Sequence, residues 1–489
     1  MRRRQMLLTA PLSLAGIALR PVFGFSENNR QTFSGMKREH IWAHYEQDAP
    51  GCWKLREGGY ATPMSVRQGE QIEFHISSSR SYYDLFIFHE GANRRLVKEI
   101  HDLRGRLAEV PETGYRDGFG WDTTVAFRVP HDWKSGVYIA SFPTGQGPRE
   151  ILFVVRPDTP KAPILMTIEA NTYAAYNPVG GKCFFPYIST DRTHTELVSF
   201  ERPLQPDFMG GFYAWDQFFT SWLDAEGYEA DYCINADLDM EPDILDSYKA
   251  HLRIGHGEYT SRNECELLQR FVARGGNLMV FAGNSFWHLS ETRNHGRQLF
   301  CAKTRYLKHP LGSPENPETS FLCSIDNLRQ RTIGVYYTSC VNAKTDVPGI
   351  FVAPTTGNYG FFRVTEADHW VFEGTGLGSG DEFGRADSIV GVECDGGDIA
   401  FDNGRPYFTG SDGISREYRI LAIADAAGGR LNEELGITHD RFYCTMAVNE
   451  TEFSGTVFTA ATMEWAHGLY RDGSPVAQIT RNVLNRLSS

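Results

Sequence analysis

A chain of 489 residues is too long for a single hydrophobic core and long enough for two or three domains. With 41% hydrophobic and 22% charged residues, and no apolar run of about 18 or more, it reads as a globular protein without a stable membrane insertion. A formal net charge of -13, with no Lys/Arg stripe interleaved with aromatics, excludes a nucleic-acid backbone as partner.

Residues 1–24 read as a signal peptide. MRRRQ is a basic n-region, MLLTAPLSLAGIAL at 6–19 is a short apolar h-region, and Val22-Phe23-Gly24 offers a cleavage site. Paired arginines before a weakly apolar stretch are similar to a twin-arginine signal, which predicts a periplasmic or secreted protein. Residues 25–59 form an N-terminal extension. From 60 to 157, short alternating runs such as QIEFHI at 71–76, YDLFIF at 83–88 and GVYIA at 136–140 predict an antiparallel, immunoglobulin-like β-sandwich. The stretch DTPKAP at 158–163 reads as a linker.

Beyond it the rhythm changes to strands alternating with helices over 164–489. ILMTI at 164–168 is a continuous apolar strand, 214–226 has helical periodicity ending at Gly227, 264–273 is a second helix, and NLMVFA at 277–282 is a buried strand. TVFTA at 456–460 and a helix at 478–487 complete the pattern. The expected fold class is α/β: a doubly wound, mostly parallel sheet preceded by the sandwich, with a Gly- and aromatic-rich insertion around 310–409. Nine scattered cysteines form no CxxC pair and no zinc spacing, and the odd count leaves at least one thiol unpaired.

Open α/β sheets place ligands at the carboxyl ends of their strands. Three such ends finish in polar side chains: EANTYAAYN at 169–177, GHGEY at 255–259 and GNS at 283–285. His256 by itself reads as a structural histidine, and the tyrosines by themselves as packing with a wet hydroxyl. Glu258 is different, because a carboxylate after a buried strand must be paired, hydrogen-bonded or metal-bound.

These segments together resemble the large subunit of N,N-dimethylformamidase and its relatives. The resemblance is carried by TYAAYN at 172–177 with Gly180-Gly181, VSFERP at 198–203, GHGEY at 255–259, GGNL at 275–278 with AGNS at 282–285, MEW at 463–465 and NVL at 482–484. It extends in that order over roughly 138–487. It implies a mononuclear iron, Fe³⁺, held by Tyr138 of the sandwich, Tyr176 and Glu258, at the interface of the two domains. His256, Asn284, Lys303 and Glu393 would line the pocket. Phenolates and carboxylate are hard donors suited to a hard cation.

The implied function is that of an iron-dependent amidohydrolase cutting a C–N bond other than a peptide bond in a small amide. His256 would move protons and Asn284 would bind the oxyanion. A homo-oligomer or a small partner subunit would suit such an enzyme. Two other readings compete. One is an exported carbohydrate- or peptide-binding protein of the same fold, stacking ligands on Tyr336, Tyr337, Tyr359, Phe361, Phe362 and Trp370. The other is a hydrolase with a cysteine nucleophile, against which stands the lack of a cysteine in a strand-elbow-helix context and of a GxSxG elbow.

Overall fold

A computed structural model describes residues 53–204, 211–303, 326–336, 339–340, 343–344, 351–352, 360–390, 393–428, 442–452 and 454–489. The expected signal peptide and most of the expected extension lie outside the described residues, and the expected insertion falls within them only in part.

Residues 58–156 form two facing sheets. Gly58–Thr62, Gln71–Ser77 and Val125–Arg128 make one, in that order. Ser65–Arg67, Gly147–Arg156, Gly136–Thr144, Tyr82–His89 and Arg95–Arg104 make the other. Alternation decides what each side chain meets. Tyr83, Leu85 and Ile87 point inward with Phe74, Phe153 and Val155 to form the sandwich core.

The Gly136–Thr144 strand is buried on both faces, so its parity assigns residues to two different cores. Val137 and Ile139, with Leu152 and Val154, pack into the core of the larger sheet domain. Tyr138 and Ala140 point the other way, into the sandwich interior. Tyr138 is fully buried there, stacked on Trp133 at 4.9 Å and on Phe153 at 5.4 Å. Its hydroxyl donates to the Lys134 carbonyl at 2.7 Å.

His89, at the end of Tyr82–His89, packs edge-on against Tyr138 with ring centroids 5.0 Å apart. Burial, reinforced by the cationic Arg95 and Lys134, lowers its pKa from 6.5 to about 4. The unfolded chain therefore takes up this proton first as pH falls. Stability is nearly unaffected above pH 6.5 and declines by about 3 kcal/mol as pH drops to about 4. Melting temperatures measured between pH 7.5 and 4 should fall less steeply for His89→Gln than for the parent. Parallel curves would contradict this assignment.

The larger domain holds a ten-stranded sheet. Its first half is parallel, in the order Ala230–Ile234, Ile164–Ile168, Ala250–His256, Asn277–Gly283 and Val457–Thr459. Ile164–Ile168 and Ala250–His256 are buried along their whole length, as strands covered on both faces must be. Asp216–Glu226, Arg262–Ala273 and Pro475–Leu487 are its longer helices. Ser261 caps the second, accepting at Oγ from the Glu264 amide at 3.0 Å. Gly227, with φ +80°, ends the first.

The second half of the sheet corrects the mostly parallel expectation. Phe442–Asn449, Arg419–Gly428, Phe362–Val364 and Glu382–Phe383 continue it antiparallel, and Ser339–Cys340 pairs with Arg419–Gly428. Only residues 450–456 join Phe442–Asn449 to Val457–Thr459, too few for the crossover helix that a parallel pair needs. The architecture is β-rich, with mixed sheets and few helices. Cys183, Cys233, Cys265, Cys301 and Cys444 are buried free thiols. Among the described residues no helix is long and apolar enough to cross a membrane.

Candidate active site

Three adjacent parallel strands, Ile164–Ile168, Ala250–His256 and Asn277–Gly283, end side by side, and the loops leaving them are stitched together by backbone hydrogen bonds. The Phe286, His288 and Ser290 amides donate to the Gly257, Glu258 and Thr260 carbonyls, each at 2.8 Å. Tyr259–Thr260 and His288–Leu289 form a two-residue parallel ladder. The Glu258 amide donates to Thr172 Oγ1 at 3.1 Å, tying in the helix Ala170–Ala175 that leads to Tyr176. Backbone geometry thus fixes where Glu258 projects.

Glu258 is 3% exposed and surrounded by donors. Tyr176 Oη donates to its Oε2 at 2.6 Å. His288 Nε2 lies 3.3 Å from Oε1, Lys303 Nζ lies 3.8 Å from Oε1, and His256 Nε2 lies 3.5 Å from Oε2. Burial opposes the charge, but Lys303, His288 and His256 outweigh it and hold the carboxyl well below its usual range. Tyr176 is pushed well above a phenol's ordinary pKa by burial and then by the Glu258 charge, so it stays a donor.

His256 Nε2 also meets Glu393 Oε2 at 2.9 Å, and Asn284 Nδ2 donates to the same carboxylate oxygen at 3.1 Å. Burial works to lower the His256 pKa, but Glu393 overrides it and the net shift is upward. Two buried polar atoms lack partners: His256 Nδ1 and Asn284 Oδ1. Trp215, 5.5 Å from the His256 ring, and Phe185, 5.5 Å from the Tyr176 ring, supply apolar walls.

Beneath this cluster lies an ionic floor. Arg253 makes a paired contact with Glu169, Nε to Oε1 at 2.6 Å and Nη2 to Oε2 at 2.8 Å, and its Nη1 meets Glu264. Glu169 lies against Gly257: a Cβ there would stand 2.9 Å from Glu169 Oε1. A side chain at 257 would push this carboxylate off its arginine. Beside the site, Arg329 Nη2 holds Asp395 Oδ1 at 2.5 Å, and Asp395 Oδ2 accepts from the Ser285 amide at 3.2 Å. Asp395 thereby links the Glu393 segment to the loop after Asn277–Gly283.

Gly283 is where those segments press together, since a Cβ would come 2.4 Å from the Met463 nitrogen and 2.7 Å from the Glu393 carbonyl oxygen. These are backbone atoms, so neither moves cheaply. Gly283→Ala should cost about 1–3 kcal/mol in a denaturant titration and displace Asn284 from Glu393. An unchanged midpoint would show that the segments yield more easily than the packing indicates.

Of the seven site residues expected from sequence, six meet here: Tyr176, His256, Glu258, Asn284, Lys303 and Glu393. Tyr138 does not. Its parity in Gly136–Thr144 commits it to the sandwich core, so the ligand set Tyr138, Tyr176 and Glu258 is not assembled and does not fit an iron in this chain. Asn284 also departs from expectation, because its amide nitrogen is engaged by Glu393 and is not free to bind an oxyanion. Among the described residues no three His, Cys, Asp or Glu side chains are grouped to hold a metal. Sequence reasoning missed His288 and Asp395. His288 sits four residues after Asn284 in the same strand-end loop, which was its only signal.

A family model described as N,N-dimethylformamidase beta subunit-like, C-terminal, matches residues 87–478. The chain belongs to this family. The match takes in four of the eight sandwich strands, the end of a fifth and nearly all of the larger domain, including every residue of the cluster. No curated protein matches. Among solved structures, an uncharacterized protein from Bacillus anthracis str. Ames is similar over 21% of this chain and 81% of its own, at 12% identity and a TM-score of 0.14.

Proposed function

We propose that this chain is an amidohydrolase that cuts the C–N bond of a small, uncharged amide at the Glu258 cluster. The observation that carries the reading is the convergence of a buried imidazole–carboxylate pair, His256 and Glu393, with a half-buried ammonium, Lys303, at three strand ends. Family membership supports the reaction class.

The His256–Glu393 pair takes a proton from water as the water oxygen attacks the carbonyl carbon, and returns it to nitrogen as the C–N bond breaks. Products are a carboxylic acid and an amine. Lys303, with 18% of its side chain exposed, supplies positive charge to the oxyanion, the role sequence had given to Asn284. Asn284 instead holds Glu393 against His256, and its unpaired Oδ1 stands ready to accept from substrate or water. Trp215 and Phe185 favour compact, methylated substrates over charged ones.

The competing binding reading loses support from the aromatics themselves. Tyr336, Phe361 and Phe362 are buried, and Trp370 Nε1 is tied to Glu450, while Tyr337 and Tyr359 lie outside the described residues. Export through the twin-arginine leader belongs to the same proposal, and so does a partner subunit, which the family's description as a beta subunit supports. The test is amine release from formamide, N-methylformamide and N,N-dimethylformamide by the purified chain. Turnover that falls in Glu393→Gln supports the proposal, and no turnover of any small amide overturns it.

A further inference from the structure

The sandwich reaches the strand-end cluster by an indirect route. Residues 211–215 lead into the helix Asp216–Glu226 as a tight turn, in which the Ala214 amide donates to the Gly211 carbonyl at 3.0 Å and the Gln217 amide to the Phe212 carbonyl at 2.9 Å. Within that turn the Tyr213 hydroxyl donates to Glu150 Oε2, on the sandwich strand Gly147–Arg156, at 2.7 Å. Burial, and then the Glu150 charge, pushes this phenol well above its ordinary range, so it stays a donor. Arg94 completes the anchor. Its Nη1 donates to Glu150 Oε1 at 2.9 Å, its Nη2 to the Tyr213 hydroxyl, and its Nε meets Glu90 Oε1 at 2.5 Å, with 8% of the side chain exposed. The same sandwich loop grips the helix again, where the Ala92 amide donates to Asp224 Oδ2 at 2.9 Å.

Two residues after Tyr213, the turn presents Trp215 to the site. Its ring stands edge-on to His256, with centroids 5.5 Å apart at 75°, and packs against Met463. A Cβ at Gly255 would come 3.0 Å from the Trp215 Cβ, so the wall has no slack on the strand side. A turn closed by two hydrogen bonds passes a shift at 213 on to 215. We propose that Tyr213 is a positioning residue through which the sandwich fixes the Trp215 wall, and that this anchor sets which N-substituents an amide can carry into the pocket. The inference deepens the amidohydrolase reading and rests on it for the identity of the ligand. In that reading His256 returns a proton to the leaving nitrogen, so the groups on that nitrogen lie beside His256 and against Trp215.

The experiment uses the full chain grown with 5-fluorotryptophan, the Trp215 fluorine line being assigned by its loss in Trp215→Phe. Tyr213→Phe keeps the ring and removes only the hydroxyl; it should move the Trp215 line, and Glu150→Ala should move it likewise from the sandwich side. Both variants should lower the kcat/KM of N,N-dimethylformamide relative to formamide by about tenfold, with the change carried by KM of the methylated substrate. The double variant should lower the ratio no further than either single one, because both remove the same contact. The proposal is overturned if the Trp215 line stays where it was in Tyr213→Phe, if the selectivity ratio is unchanged, or if the two substitutions add. A lowered urea midpoint with line and ratio unmoved would make Tyr213 merely structural and overturns it too. A line that moves in both variants while the parent turns over no amide upholds the anchor and overturns the amidohydrolase reading beneath it.

Discussion

Arg253→Met should destabilise the protein by about 3–5 kcal/mol, the largest loss expected from a single substitution in the larger domain. Arg253 and its partners Glu169 and Glu264 are all 1% exposed or less, so no water is at hand to solvate a charge left alone. The guanidinium makes two hydrogen bonds to Glu169, a contact to Glu264, and lies 4.7 Å over the Phe286 ring. Removing it strands two carboxylates at once. Asn235 and Thr260 still donate to them, at 3.0 Å and 2.5 Å, which moderates the loss without replacing the cation. A urea titration measures the change. If Arg253→Met is unfavourable by less than about 1 kcal/mol, the network is not holding the domain together. Because Glu169 also backs Gly257, activity should fall before unfolding sets in.

His256→Ala should lower kcat by about 10²- to 10⁴-fold while the fold survives. The fold survives because Asn284 still donates to Glu393 and the loops are held by backbone hydrogen bonds that do not involve the imidazole. Glu393→Gln should give a smaller loss, since the imidazole remains but lacks the carboxylate that holds its proton. Steady-state kinetics on the same amide, with circular dichroism on each variant, separates the two. A His256→Ala enzyme within tenfold of the parent would remove this residue from the proton path.

The strand ends were legible in the sequence because burial and polarity change there abruptly. ILMTI, the run into His256 and NLMVFA are apolar and each gives way at once to polar side chains, so the cluster of Tyr176, His256, Glu258 and Asn284 could be anticipated from the α/β rule alone. Lys303 and Glu393 came only with the family resemblance. Tyr138 failed because a resemblance carries residue type but not strand parity, and in a strand buried on both faces a hydrophobic pattern does not reveal which face a tyrosine takes. The ionic floor was illegible for another reason: Arg253 interrupts an apolar strand, and its partners lie 84 and 11 residues away. The antiparallel half of the sheet was hidden by short strands in a Gly-rich region, where periodicity is weak.

Val137, Ile139, Leu152 and Val154 give the sandwich's outer face to the core of its neighbour. A gene fragment starting at the first parallel strand would therefore present naked hydrocarbon where those four side chains belong, and would aggregate rather than work as a minimal enzyme. Any relative that dispenses with the sandwich must have repainted that face with polar residues, a mark that inspection of its first parallel strands would reveal.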